Sequence, residues 1–158
     1  MNGKAPIIRA FASGEELLVH EFACRVYLEE VASETSAEAL AHFLRHIDPQ
    51  RLKLRLEQGF ALYLAFNGED LLGLLEFGRD HHITMFFMDK LLPIQGVGNQ
   101  LMEKAVAAAK QTENTDSHFT IHAPLGEVET YEQLGFATSG PMEVENGLRY
   151  LPMRYDIH

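Results

Sequence analysis

Ile83-Thr84-Met85-Phe86-Phe87-Met88, then Pro93-Ile94-Gln95-Gly96-Val97-Gly98, then Asn99-Gln100-Leu101 and an alanine-rich run to Ala109 form the stretch that decides the fold. An apolar β-type segment passes through a glycine-bearing turn straight into an amphipathic helix. Gly96 and Gly98 let the backbone approach a ligand closely, and the helix that starts there aims unpaired N–H groups and about half a positive charge at it. A phosphate suits such a place. The loop lacks the Gly-Lys-Ser/Thr ending of a P-loop, because Asn99-Gln100 follows Gly98, and Leu101 stands where a dinucleotide loop needs its third glycine. A plain strand–turn–helix connection, with glycines for geometry alone, remains the competing explanation.

Downstream, Tyr131-Glu132-Gln133-Leu134-Gly135-Phe136 reads as a short helix stopped by a glycine and followed by a strand. Together the two segments resemble the GNAT superfamily of acetyl-CoA-dependent N-acetyltransferases. The family's strand-four and loop pattern matches Phe87-Met88, Pro93 to Gly98 and Leu101, and its late Tyr-x-x-x-Gly-Phe element matches Tyr131, Gly135 and Phe136. Leu72-Gly73-Leu74-Leu75 is similar to the family's third strand, and Tyr150-Leu151-Pro152-Met153 to its closing strand. Three loop positions depart from the pattern. Pro93 stands for a usual Gln or Arg, Ile94 for a frequent glycine and Gln95 for a frequent basic residue. Ala123-Pro124 stands where many members place an asparagine that bonds the pantetheine arm.

The 158 residues fit one domain, residues 1–158, and 46% hydrophobic with 23% charged residues is a globular composition. The single Cys24 excludes an intramolecular disulfide and multi-cysteine zinc sites. Apolar runs stay short of a membrane span, and Arg9 interrupts the run at Ile7-Ile8, so a cytoplasmic protein without membrane attachment is expected. A net charge of −10 argues against nucleic acid and suits a cationic acceptor, although many soluble proteins are acidic for solubility alone.

Pattern alone predicts an α+β order. Ile7 to Phe11 reads as a strand, and Ser13-Gly14-Glu15-Glu16 as a capping box for a first helix whose inner face carries Leu17, Cys24, Leu28 and Val31. Thr35-Ser36-Ala37-Glu38 opens a second helix, and Asp48-Pro49 a third. Strand-type runs at Phe60–Phe66, Leu71–Phe77 and His82–Met88 make an antiparallel meander, the first pair joined by Asn67-Gly68-Glu69-Asp70. The long helix Gly98–Lys110 then crosses over, so the fourth and fifth strands should run parallel. A polar loop over residues 111–117, a strand Phe119–His122, a helix Glu127–Leu134 and closing strands complete the chain. The expected whole is a mixed, mostly antiparallel sheet flanked by helices, with a V-shaped opening between strands four and five.

The resemblance implies a place for each part of the chemistry. Backbone N–H groups of Gln95, Gly96, Val97, Gly98 and Asn99 would hold the pyrophosphate of acetyl-CoA, and the strand Phe86, Phe87, Met88 would pair with its pantetheine arm. Tyr131 would hydrogen-bond the departing thiolate. With Tyr near pKa 10 and a thiol near 8.5, complete proton transfer is uphill by about 2 kcal/mol, so donation of a hydrogen bond is the expected service. Glu76, near the end of an apolar strand, is a candidate general base if burial raises its pKa, and alternation does not settle its face. His82 is a rival, and a water chain would also serve. His42 and His46 lie four apart on one helical face, but no third ligand stands at telling spacing and no metal is expected. Glu29, Glu30 and Glu34 form an acidic patch near the first helix–helix junction; the resemblance sets that region over the acceptor pocket, and a solvated face is the competing and commoner explanation.

Two functions follow. The first is transfer of acetyl from acetyl-CoA to an amine of a small molecule or peptide, by a monomer or a homodimer. The second is a CoA-binding sensor or protein-interaction module with little catalysis.

Overall fold

A computed structural model describes residues 5–31, 34–91, 94–112 and 117–157. Strand β1 (Ile7–Ala10) is followed by helices α1 (Glu16–Val31), α2 (Ala37–His46) and α3 (Pro49–Glu57), then strands β2 (Ala61–Asn67), β3 (Asp70–Phe77) and β4 (Ile83–Met88). Helix α4 (Val97–Ala109) leads to β5 (His118–Pro124), a single 3-10 turn, α5 (Val128–Gln133), and β6 (Ala137–Thr138), β7 (Glu143–Glu145) and β8 (Leu148–Asp156). The α+β architecture expected from the sequence is present. Pro93 lies outside the described residues, as do 113–116 of the polar loop.

The helix starts illustrate where local chemistry was sufficient. Ser36 Oγ accepts the Ala39 N–H at 3.0 Å, and Asp48 accepts from Gln50 and Arg51 with Pro49 in the first turn. Ser13 does not cap α1. The helix begins later, at Glu16, and Glu15 instead accepts the Ala12 N–H and a two-pronged bond from Arg9. The inner face of α1 also differs from expectation. Its buried stripe is Val19, Phe22, Ala23, Val26, Tyr27 and Val31, whereas Leu17 is 59% exposed and Leu28 38%. Both stripes satisfy helical spacing, and the aromatic Phe22 and Tyr27 offer more apolar area to the core.

Strands β1-β2-β3-β4 form one antiparallel sheet and β5-β8-β6, with β7 on β8, another. α4 packs against one face of the first sheet, with Leu75, Phe77 and Phe86, while α1, α2 and α3 cover the other with Leu64, Leu74, Met85 and Phe87. The expected parallel pairing of β4 with β5 shrinks to one bridge, His82 with Thr120, supported by Thr120 N–H to His81 carbonyl at 3.2 Å. Beyond it the strands part. Past the bridge, Tyr131 takes the Phe86 carbonyl that a continued ladder would have bonded, with the two rings 5.7 Å apart. The V therefore closes at the start of β4 and opens toward Met88, where α4 begins.

Candidate functional site

A cleft of about 370 Å³ occupies the opening. β4 supplies Thr84 to Phe87, β5 supplies Ile121, His122 and Pro124, α1 and α2 supply Tyr27, Glu30, His42, Phe43 and His46, and α5 supplies Tyr131. The β7–β8 hairpin closes the far side with Glu145, Asn146, Leu148 and Tyr150. That hairpin is held by Ser36 Oγ, which donates to the Asn146 carbonyl at 2.7 Å while capping α2. One hydroxyl thus ties the two walls together.

Tyr131 is 4% exposed, and its hydroxyl donates to the Phe86 carbonyl at 3.1 Å. This bond shows that the Phe86 backbone faces the splay; strand alternation puts Met88 on the same edge. Burial pushes the Tyr131 phenol well above its ordinary value, and the charges of Glu30 and Glu127 push the same way. It therefore stays protonated and available as a donor. Glu127 is buried and paired with Lys90, which joins the end of β4 to the turn before α5.

The loop residues gather at the open end. Gly96 caps α4 with φ +92°, no side chain caps it, and a Cβ there would meet only Gln100 Nε2, at 3.7 Å. The N–H groups of Gly96, Gly98 and Asn99 find no acceptor among the described residues. Gln95 and Asn99 are exposed and Val97 is buried. Gly98 has a different reason from the one first read. A Cβ there would stand 2.7 Å from Met88 Sδ and 2.9 Å from Leu134, so this glycine lets α4 approach β4 and α5. Phe87 turns its side chain toward α2, edge-on to Phe43 at 5.8 Å.

Glu76 stands apart and does not line the cleft. It is 0% exposed, faces α2 and α3, and is held by Arg55 Nε at 3.2 Å and by Thr84 Oγ1, which donates at 2.6 Å. His46 Nε2 lies 3.4 Å away, an ion-pair distance outside hydrogen-bond geometry. The raised pKa expected for it is reversed. Burial is the largest single influence and pushes it up, but His46, the Arg55 charge and the Thr84 bond together hold it below its ordinary value. A carboxylate so engaged is a poor proton acceptor. His82 sits at the closed end, 2.7 Å from Thr120 Oγ1, and burial followed by neighbouring His122 lowers its pKa, with Asp80 and Glu145 opposing.

Two carboxylates do line the cleft, Glu145 from the β7–β8 hairpin and Glu30 from α1, the latter one of the three acids of the patch expected from sequence. Burial and the neighbouring Glu127 raise the Glu30 pKa to about 8, Glu29 adds to the rise, and Lys90 opposes it. Its signal was present. Val19, Ala23, Val26 and Glu30 follow helical spacing, so the correct face of α1 would have exposed an acid on an apolar stripe.

The sequence matches the family described as acetyltransferase (GNAT) domain over residues 31–157. No curated protein matches it. Among solved structures, a GCN5-related N-acetyltransferase from Rhodopseudomonas palustris is similar at 18% identity and TM-score 0.77, covering 99% of this chain and 98% of that one. PaiA N-acetyltransferase from Thermoplasma acidophilum, solved with coenzyme A, is similar at 13% identity and TM-score 0.77, covering 97% and 99%. Spermidine N-acetyltransferase from Vibrio cholerae, solved with CoA and spermine, gives 16% identity and TM-score 0.62, covering 97% and 96%.

Proposed function

Because the chain belongs to the GNAT family of acetyltransferases, we propose that it is a single-domain N-acetyltransferase moving acetyl from acetyl-CoA directly to an amine of a small molecule or peptide. The observation that carries this reading is the buried Tyr131 hydroxyl, aimed at β4 backbone where the sheet splits, with an uncapped helix N-terminus at the open end. Acetyl-CoA supplies an activated thioester and a diphosphate handle. The residues present fit it. Open space at Gly96 and the N–H groups of Gly96, Gly98 and Asn99, which find no acceptor among the described residues, suit the diphosphate, with Gln95 and Val97 completing the loop. The Phe86 and Met88 edge of β4 suits an amide-bearing arm. Tyr131, turned from the Phe86 carbonyl, would donate to the sulfur.

The acceptor side favours a cation. Glu30 and Glu145 line the cleft among aromatic side chains, and none of the described lining residues is Lys or Arg. The spermine bound by the Vibrio cholerae relative is a cationic amine of the favoured kind.

Thiol release with a panel of amines tests the reading, after calorimetry has established acetyl-CoA binding. Binding without thiol release from any amine would instead establish the CoA-sensing module. A thermal melt gives an earlier check. Ligand at about 100 times its dissociation constant should add roughly 2.7 kcal/mol, and a melting curve unmoved by millimolar acetyl-CoA would remove the cofactor assignment. Gly96→Asp should weaken CoA by at least about tenfold, since it sets a negative charge where diphosphate is expected. Its circular-dichroism spectrum should stay that of the parent, because the space is open and Asp tolerates positive φ better than most residues.

A further inference from the structure

α1 delivers one carboxylate to the cleft with no partner assigned to it. Glu29 pairs with Arg25, Glu127 with Lys90 and Glu76 with Arg55, whereas among the described residues no hydrogen bond or ion pair holds Glu30. It lies half-buried beside the same cleft as Tyr131 and the β4 backbone. We propose that Glu30 takes the proton that the acceptor's ammonium must lose before its nitrogen can attack, an assignment that rests on the acetyl-transfer reading above.

An ordinary carboxylate is a poor match for this task. Against an alkylammonium near pKa 10.4, a carboxylate at its usual value makes the transfer unfavourable by roughly a millionfold. With Glu30 raised to about 8, by burial first and then Glu127, the same transfer is unfavourable by only a few hundredfold. The charged and titratable groups that act on it are Glu29 on α1, Lys90 after β4, and Glu127 and Tyr131 at the turn into α5 and on α5, while Tyr27 on α1, His42 and His46 on α2, His82 before β4, His122 on β5, Glu145 on β7 and Tyr150 on β8 line the same cleft. Lys90 is the only lysine or arginine among them, and Glu127 already engages it.

The bond changes balance without a further reactant. One N–H proton passes to a Glu30 oxygen; the freed electron pair forms the nitrogen–carbon bond as the carbon–sulfur bond breaks. Sulfur leaves with that bond's electrons and takes the second nitrogen proton, and Glu30 returns its own proton to water through the cleft.

The test compares wild type with Glu30→Gln on amines of differing pKa, following thiol release from pH 6 to 10. Wild-type kcat/KM should rise through a limb near pH 8 shared by all acceptors. Glu30→Gln should lose about 10²-fold at pH 7, with its limb moving to each acceptor's own pKa and the deficit closing as free amine accumulates. Glu30→Ala should regain rate with added formate. A Glu30→Gln variant within threefold of the parent, or one with a uniform loss at every pH, overturns the assignment. If that variant does not fold, the wild-type Glu30 carboxyl followed by 13C NMR decides, and titration near 4.5 overturns it. Wild type that acetylates no amine removes the acetyl-transfer reading, and Glu30's role with it; turnover with an indifferent Glu30→Gln removes Glu30 alone.

Discussion

Tyr131→Phe is expected to lower turnover by about 10²- to 10³-fold on a confirmed acceptor, the range for one hydrogen bond made chiefly in the transition state. The phenol is buried, stays protonated and, among the described residues, donates to the Phe86 carbonyl at 3.1 Å. Removing the hydroxyl leaves the ring contacts with Phe86 and Phe136, so the fold should survive with about 1 kcal/mol lost. The Michaelis constant for acetyl-CoA should change little, because the missing bond is needed only as sulfur gains charge. The raised phenol pKa adds a further expectation: no limb of the wild-type pH profile below about pH 10 should disappear in the variant. Steady-state rates at saturating acetyl-CoA measure the effect. A rate within threefold of the parent would leave Tyr131 a packing residue and give the sulfur to water or another donor.

The parts of this fold legible in sequence are those whose chemistry is local. Asp48-Pro49 and Ser36 start helices through bonds two or three residues long, and the β2–β3 hairpin turns at Gly68-Glu69, with Gly68 at φ +62° and Asn67 paired to Asp70, by neighbour geometry alone. Family pattern also points to a glycine turn opening a helix at Gly96 and to a short helix carrying Tyr131, and the fold has both elements. What escaped depends on contacts across the molecule. Glu76 read as an acid free to titrate because Arg55, 21 residues away, and the His46 side chain arrive only when α2 and α3 pack on the sheet. Ser36 and Asn146 meet across 110 residues, so the wall that closes the acceptor side had no local trace. Glu30 was lost for a subtler reason. Helical spacing permits two apolar stripes on α1, and the one through Leu17 and Leu28 turns Glu30 outward. Only the sheet decides between them.

Arg55→Met is expected to cost about 3 to 5 kcal/mol of stability at neutral pH, because it strands a buried carboxylate. For a chain of this size that lowers the melting temperature by roughly 10 °C or more. Arg55 also donates from Nη1 to the His46 carbonyl at 2.7 Å, so its loss frees the end of α2 as well as Glu76. The pH dependence carries the argument. In wild type the folded Glu76 pKa lies below its ordinary 4.5, so its stabilisation is complete above that value and is lost as pH falls through the lowered one. In Arg55→Met, burial is less opposed and the folded pKa should rise, so protonation relieves the variant as pH drops from neutral. The gap between the two proteins should therefore narrow in acid. Adding Glu76→Gln to Arg55→Met should recover most of the loss, since Thr84 keeps an oxygen to donate to and no charge remains buried. Denaturant melts of wild type, Arg55→Met, Glu76→Gln and the double variant between pH 4 and pH 8 measure all of this. A single-variant loss below about 1 kcal/mol, or one equally large at both ends, would mean that Glu76 meets enough water or other partners to be indifferent to Arg55.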